Sequence, residues 1–159
     1  GGEWFKMNED TYPPETLDLV YNTVKDALNM QFQLIEELNT KAGVIIGFVG
    51  VIIGISLNLY SDENPHLFIG SVLLFLGAAF LSFFAYKAKS YRRDPKPRKF
   101  TEKYLREDDK KVKKQLIDNF IQSYEDNKNR IEKKVKYINY SLILLFIGLI
   151  VLTSSVIVG

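Results

Sequence analysis

The chain has 159 residues, a formal net charge of +2 at pH 7 and no cysteine. Without cysteine, disulfides, Cys-ligated zinc and thiol catalysis are excluded. A charged fraction of 25% is ordinary for a soluble protein, but here the charged and apolar residues occupy separate stretches. Residues 42–61, 65–86 and 137–159 contain no Asp, Glu, Lys or Arg. Each stretch is about as long as the ~20 residues that a helix needs to cross a bilayer core of ~30 Å, so the sequence predicts three transmembrane helices.

The first predicted helix begins at two prolines and continues into the first span. Residues 1–13 have no clear period and form a leader, and Pro14 suits a first helical turn. Apolar residues then recur at alternating intervals of four and three, as in a heptad repeat. This first seam consists of Leu17, Tyr21, Val24, Leu28, Gln31, Ile35, Leu38 and Ala42. We expect one helix from about Glu15 to Tyr60, with a cytoplasmic part at 14–41 and the first span at 42–60.

The second span is a simple apolar helix between two breaks. Residues 61–66 form a tight outer turn, in which Asn64 is a candidate cap and Pro65 a candidate first helical residue. The second span covers 67–86. A basic cytoplasmic segment at 87–136 follows, and Asp94-Pro95-Lys96-Pro97 breaks the helix there.

The third predicted helix begins near Arg106, with Glu107, Asp108 and Asp109 in its first turn, and it ends in the third span at 137–158. Its apolar residues also follow the heptad spacing. This second seam consists of Ile117, Ile121, Tyr124, Lys128, Ile131, Val135, Ile138, Leu142 and Leu145. The sequence therefore predicts a single, all-α integral membrane domain with three transmembrane helices, of which the first and third extend into a cytoplasmic helical bundle.

Basic residues set the expected topology. Of the 21 Lys and Arg residues, 18 lie between Lys87 and Tyr137, three precede the first span, and the 61–66 turn has none. The positive-inside rule places such segments in the cytoplasm. We expect a cytoplasmic amino terminus and an outer carboxyl terminus.

Four glycines form a stripe on the first span: Gly43, Gly47, Gly50 and Gly54. They contain two Gly-x-x-x-Gly pairs, a spacing that lets helix backbones approach closely in lipid. We favour packing of this stripe against the chain's own second span, through Gly70, Gly77 and Ala78. Contact between subunits is the alternative.

One polar residue interrupts each seam: Gln31 in the first and Lys128 in the second. Single polar residues at such positions fix the register and the number of helices in coiled coils. Both side chains would instead face solvent if the packing has a local gap.

Basic residues flank the second and third spans. They are Lys87, Lys89, Arg92 and Arg93 after the second, and Lys133, Lys134 and Lys136 before the third. Contact with anionic lipid headgroups explains them, at ~1 kcal/mol per charge. Nucleic-acid binding is disfavoured because acidic residues are interspersed among them.

The polar residues predicted within the spans are serines, threonine and asparagines, with no ionisable side chain at mid-depth. This disfavours a proton-coupled transporter, but a pore lined by hydroxyls that gates by dewetting stays open. The one histidine, His66, has no partner at metal-ligand spacing, and no nucleophile–base pair or phosphate-binding loop is evident. We expect no enzymatic activity, no cofactor and no metal.

Two segments resemble a known family. Residues 37–47 (Glu-Leu-Asn-Thr-Lys-Ala-Gly-Val-Ile-Ile-Gly) enter the first span through a Lys-Ala pair, and residues 131–137 (Ile-Glu-Lys-Lys-Val-Lys-Tyr) lead into the third. With the hairpin and the charged helical loop, residues 15–159 resemble the Pycsar membrane-effector domain and are similar to SLATT-type small membrane proteins of prokaryotic conflict systems.

The resemblance implies a membrane-disrupting or pore-forming antiviral effector in a prokaryotic plasma membrane, triggered by a nucleotide signal. No nucleotide-sensing domain is recognisable in these 159 residues, so we expect sensing by a cytoplasmic partner or by the cytoplasmic helices. The first hypothesis is therefore a self-associating, pore-forming membrane protein. The second is a non-conducting scaffold that docks a cytoplasmic partner on its helical stalk.

Overall fold

The computed structural model describes residues 13–58, 65–87, 91 and 108–158. They form three α-helices: α1 at Pro14–Asn58, α2 at Pro65–Tyr86 and α3 at Asp109–Val158. All three are long and apolar enough to cross a membrane. The prediction of an all-α protein with three spans is confirmed. Most of the predicted leader and of the outer turn, the predicted helix break at 94–97, and Lys89, Arg92 and Arg93 lie outside the described residues.

Local sequence explains where α1 and α3 begin. The Pro13 carbonyl accepts hydrogen bonds from the backbone N–H groups of Thr16 and Leu17, at 3.0 and 3.3 Å. Proline has no backbone N–H, but Pro14 costs the helix no hydrogen bond, because an N–H at the first helical position has no partner within the helix. The Asp108 carbonyl accepts from Val112 N–H at 3.0 Å. The third helix therefore begins at Asp109 and not near Arg106, and Asp108 precedes it.

The chain divides into two compact units. The first, which we call the polar unit, comprises Gly1–Gln33 and Ser90–Lys128. Its core is a cluster of Leu28, Leu116 and Phe120. The Tyr21 and Phe120 rings pack at its side with centroids 5.8 Å apart. This small apolar core joins the first part of α1 to the first part of α3.

The second, which we call the span unit, comprises Leu34–Lys89 and Asn129–Gly159. Each of its three helices buries one face, and the buried positions alternate at intervals of three and four. On α1 they are Ile35, Leu38, Ala42, Ile45, Val49, Ile52 and Ser56; on α2 they are Phe68, Ser71, Phe75, Ala78, Ser82 and Ala85. This is the spacing of left-handed helical packing.

The first seam is confirmed: on α1 the members from Leu28 to Ala42 are buried, and Leu17, Tyr21 and Val24 are half-buried. The second seam is wrong at five of its nine positions, because Ile121, Tyr124, Lys128, Val135 and Leu142 are not buried. On α3 the buried residues are Leu116, Ile117, Phe120, Ser123, Asn127, Ile131, Lys134, Ile138, Ser141, Leu145, Gly148 and Ser155. The prediction had chosen the apolar neighbours Ile121, Val135 and Leu142 in place of Phe120, Lys134 and Ser141.

At Leu142, the one wrong position within the predicted third span, the cause of the error is the solvent. In water, burial selects apolar side chains, but lipid tails accept Leu142 as readily as a protein interior does. Leu142 is 38% exposed in the span unit, whereas Ser141 is fully buried and hydrogen-bonded. Polar groups in a bilayer need partners more than apolar groups need burial, and so they take the inner face.

Candidate functional site in the core of the span unit

Serine hydroxyls occupy the core of the span unit. Five serines lie at buried seam positions, each with 7% or less of its surface exposed: Ser56, Ser71, Ser82, Ser141 and Ser155. Outward-facing positions carry bulky apolar residues, among them Phe48, Phe80 and Phe146. The buried face of the spans therefore carries serine hydroxyls, and the exposed faces are mostly apolar, with Thr153 and Ser154 as exposed hydroxyl residues near the end of α3.

Ser82 on α2 and Ser141 on α3 form the one inter-helix hydroxyl pair that we find in the described part of the spans. Their Oγ atoms are 2.7 Å apart. The Ser141 hydroxyl also lies 2.6 Å from the Ala78 carbonyl oxygen, to which it donates. Since a hydroxyl has one proton, Ser82 is the donor in the serine pair. The two bonds connect α2 to α3 at a fully buried point.

The other three serines each donate to a carbonyl of their own helix. Ser56 donates to Ile52 at 2.6 Å and Ser71 to Phe68 at 2.7 Å. Ser155 donates to Leu152 at 2.7 Å. Such bonds satisfy a hydroxyl in the membrane without a second helix, and each oxygen keeps lone pairs that can accept from another donor.

The ring of Phe75 lies between Ser71 and Ser82 along α2, at the contact with α3. Phe75 is fully buried and packs on Gly148 of α3. A Cβ atom at Gly148 would lie 2.7 Å from Cε1 and 2.9 Å from Cδ1 of that ring, and 3.3 Å from Cβ of Leu74. Only glycine admits the ring at this distance. The sequence analysis did not single out Gly148, although a glycine in the middle of a span is a signal for close helix approach.

The pairs Ser82–Ser141 and Phe75–Gly148 fix the register of α2 on α3. Phe75 precedes Ser82 by seven residues on α2, whereas its partner Gly148 follows Ser141 by seven residues on α3. The two helices are therefore antiparallel. The same register puts Ser71 level with Leu152, within about one turn of Ser155. Hydroxyls thus lie on both sides of the Phe75 ring.

The glycine stripe of α1 does not pack inside the chain. A Cβ atom at Gly43, Gly47, Gly50 or Gly54 would have no atom within 4 Å. At 100° per residue the stripe lies roughly 150° around α1 from its buried face. The favoured interpretation, packing against Gly70, Gly77 and Ala78 of the second span, is therefore wrong. Gly77 instead approaches Leu144 of α3, and the Ala78 carbonyl bonds Ser141.

Lys134, one of the lysines predicted to contact lipid headgroups, is instead buried in the span unit. Its side chain is 4% exposed, and Nζ donates to Oδ1 of Asn39. Lys87, Lys133 and Lys136 are exposed, and for them headgroup contact stays a prediction. Lys134 falls on the buried face because it is seven residues before Ser141.

In the polar unit, the two residues predicted to interrupt the seams differ. Gln31 is 7% exposed, and its Nε2 donates to the Tyr124 carbonyl at 2.9 Å, while its Oε1 is buried without a hydrogen-bond partner. Lys128 is exposed, so the buried-seam interpretation is wrong for it. The fully buried Asn127 takes that place, because burying an amide costs far less than burying an ammonium group.

An ion-pair cluster lies at the start of α3 in the polar unit. Nζ of Lys113 is 2.7 Å from Asp109 and 2.8 Å from Asp18 of α1. The hydrogen bonds to Asp109 and then to Asp18 raise the pKa of Lys113 above its ordinary value. Because the folded pKa is the higher one, this contribution to stability is complete at neutral pH and is lost only above the ordinary lysine pKa of about 10.4.

Within the described ranges, no group of three His, Cys, Asp or Glu side chains could hold a metal ion. His66 is exposed at the start of α2. The described core of the span unit offers hydrogen bonding by buried hydroxyl groups.

A family model described as the Pycsar effector protein domain matches residues 23–159, which include all three spans and most of the polar unit. Neither the curated proteins nor the solved structures contain a significant match to this chain.

Proposed function

We propose that this chain, which belongs to the Pycsar effector protein domain family, acts on the membrane by assembling into a pore. Family membership makes it a membrane-acting effector of a defence system. Three helices of one chain cannot enclose a water-filled channel, so a pore requires several copies. The proposal is that identical subunits associate through α1 and that the assembly leaks ions.

The observation that carries this proposal is the position of the glycine stripe. Gly47, Gly50 and Gly54 are exposed, on the side of α1 that points away from the other spans. In lipid there is no hydrophobic drive for association, and helices associate where small residues let backbones come close. A Gly-x-x-x-Gly face turned towards lipid fits the same face of a second copy.

The test compares two substitutions on α1 at the same depth. Gly50→Leu puts a bulky side chain on the stripe, and Val51→Leu adds one methylene at a neighbouring position that is 59% exposed. We expect the wild type and Val51→Leu to form oligomers in mild detergent, measured by native mass spectrometry, and to release dye from proteoliposomes. Gly50→Leu should shift the distribution towards monomer and lose dye release.

Two outcomes would contradict the proposal. If Gly50→Leu assembles and leaks like the wild type, the glycine stripe is not part of the subunit interface. A monomeric wild type with no leakage above protein-free liposomes would remove the pore itself.

A non-conducting scaffold is the second candidate. It is favoured by apolar side chains on the outside of the polar unit, where Leu19 is 67% and Met30 is 68% exposed. Exposed apolar side chains of this kind suit a protein partner. Crosslinking through a photoreactive residue at position 19, in cells, would capture such a partner, and a leaking wild type would place the scaffold second.

A further inference from the structure

We infer, on the basis of the proposed pore function, that the conducting path of the assembly is lined by the serine side chains that face the core of each span unit. In this structure the path is closed by Phe75 lying on Gly148 and by the Ser82–Ser141 hydrogen bond. Opening requires α2 to move away from α3, so that serine hydroxyls exchange their helix partners for water.

The distribution of polar groups carries the first step. Apart from the glycine stripe of α1 and from Thr153 and Ser154 near the end of α3, exposed positions in the middle of the spans mostly bear large apolar side chains, among them Phe48, Val51, Leu76, Phe80, Phe146 and Ile150. A path between copies lined by such groups would expel water. Ser71, Ser82 and Ser141, which can bind water, are fully buried. The surface suited to water is inside each chain.

The order of the layers carries the second step. Along α2, Ser82 is seven residues from Phe75 and Ser71 is four, which is about 10 Å and about 6 Å at 1.5 Å per residue. Phe75 therefore forms a short apolar barrier with hydroxyls on both sides. A barrier one or two turns long is the arrangement in which a narrow passage changes between dry and wet when its side chains move.

The contact at Gly148 carries the third step. The ring of Phe75 fits only because Gly148 has no side chain, and one added carbon would meet it at 2.7 Å. An alanine there forces the Phe75 ring out of its position against α3. Because one added carbon displaces this contact, the contact is suited to two discrete arrangements, one closed and one open.

The alternatives are that the serines act only as packing contacts, or that the glycine stripe of α1 lines the path. Serine and small residues are common at helix contacts in membranes for packing alone. Both alternatives leave the α2–α3 contact closed while ions pass. A lock on that contact, meaning a crosslink that holds α2 against α3, therefore distinguishes both alternatives from the inference.

The lock is a disulfide in a chain that has no cysteine of its own. The Oγ atoms of Ser82 and Ser141 are 2.7 Å apart, so cysteines at both positions are within bonding reach. Proteoliposomes of Ser82→Cys/Ser141→Cys are oxidised, assayed for dye release, reduced and assayed again. Each single cysteine variant goes through the same cycle, and native mass spectrometry checks that the oligomers persist.

We expect oxidation to reduce dye release of the double variant to the level of protein-free liposomes, and reduction to restore it. Leakage of each single variant, whatever its level, should not respond to oxidation or reduction. Gly148→Ala should leak more than the wild type, whereas Gly70→Ala, whose added carbon has no atom within 4 Å, should leak as the wild type does.

Unchanged leakage from the oxidised double variant, in assemblies where the wild type also leaks, would overturn the inference and leave the pore proposal standing. A wild type that never leaks would overturn both. Failure of the two cysteines to form a disulfide would contradict the Ser82–Ser141 contact and overturn the inference as well.

Discussion

The hydroxyl oxygens of Ser82 on α2 and Ser141 on α3 lie 2.7 Å apart, and both side chains are fully buried. They are 59 residues apart in sequence and come from helices that run in opposite directions. The Ser141 hydroxyl donates its own hydrogen bond to the Ala78 carbonyl, so this serine accepts from one residue of α2 and donates to another. The pair fixes the register of the second span against the third.

A double-mutant cycle should measure that pair. Between Ser82→Ala and Ser141→Ala we expect a coupling of about 0.6 kcal/mol and at most about 1.7 kcal/mol, the range found for hydrogen bonds between transmembrane helices. Unfolding by a denaturing detergent in mixed micelles gives the free energies. Thr153→Ala is the control, because Thr153 is exposed and donates to its own helix at Leu149. Coupling no larger between the serines than between Ser82 and Thr153 would refute the contact.

Lys134 and Lys133 should respond differently to loss of charge. Lys134 is buried and bonded to Asn39, so Lys134→Met should change the stability of the span unit and leave bound anionic lipid unchanged. Lys133→Met removes an exposed charge, so it should weaken lipid retention by about 1 kcal/mol with stability intact. Native mass spectrometry with phosphatidylglycerol adducts measures retention. A lipid loss in Lys134→Met as large as that in Lys133→Met would place both ammonium groups at headgroups.

Gln31 should be replaceable by an apolar residue of similar size. Its Oε1 is buried without a partner, and an unsatisfied buried group costs about 1–3 kcal/mol. The hydrogen bond from Nε2 to Tyr124 offsets part of that cost, so Gln31→Leu should raise stability by about 1 kcal/mol. Thermal unfolding monitored by circular dichroism checks this. Leu28→Ala, in the core of the same unit, should lower stability by about 2–5 kcal/mol, and a similar loss in Gln31→Leu would show that the amide is needed.

The expected topology can be tested with two single cysteines at exposed positions. His66 lies at the start of α2 and Lys110 near the start of α3. If the basic segment is cytoplasmic, a membrane-impermeant thiol reagent should label His66→Cys in intact cells and label Lys110→Cys only after lysis. The opposite labelling pattern would show that the protein has the reverse orientation in the membrane.

The sequence predicted most of the fold, because helix length and the absence of charge are local properties. It located the buried face of α1 correctly, since Leu28, Ile35 and Leu38 are apolar and precede the membrane, where burial follows hydrophobicity. It failed on α3, where Lys134 and Ser141 are buried while the apolar Leu142 faces outwards. Hydrophobicity cannot assign an inner face within a bilayer, so this choice depends on hydrogen-bond partners from other helices.

The candidate site was predictable only in its composition. The sequence alone identifies the serines as polar groups of the spans and is compatible with a hydroxyl-lined path. The contact between Phe75 and Gly148 depends on the register of α2 against α3, which no local pattern contains. The glycine stripe was recognised, but its direction relative to the other spans was not, since its spacing suits a partner in the same chain or in another.

Dye release from proteoliposomes at increasing protein-to-lipid ratio tests the central claim most directly. If subunits assemble into a pore, release by the wild type should rise more steeply than in proportion to protein density, and Gly50→Leu should lie close to the protein-free baseline at every density. Release by the wild type that equals the protein-free baseline across the whole range would contradict the account.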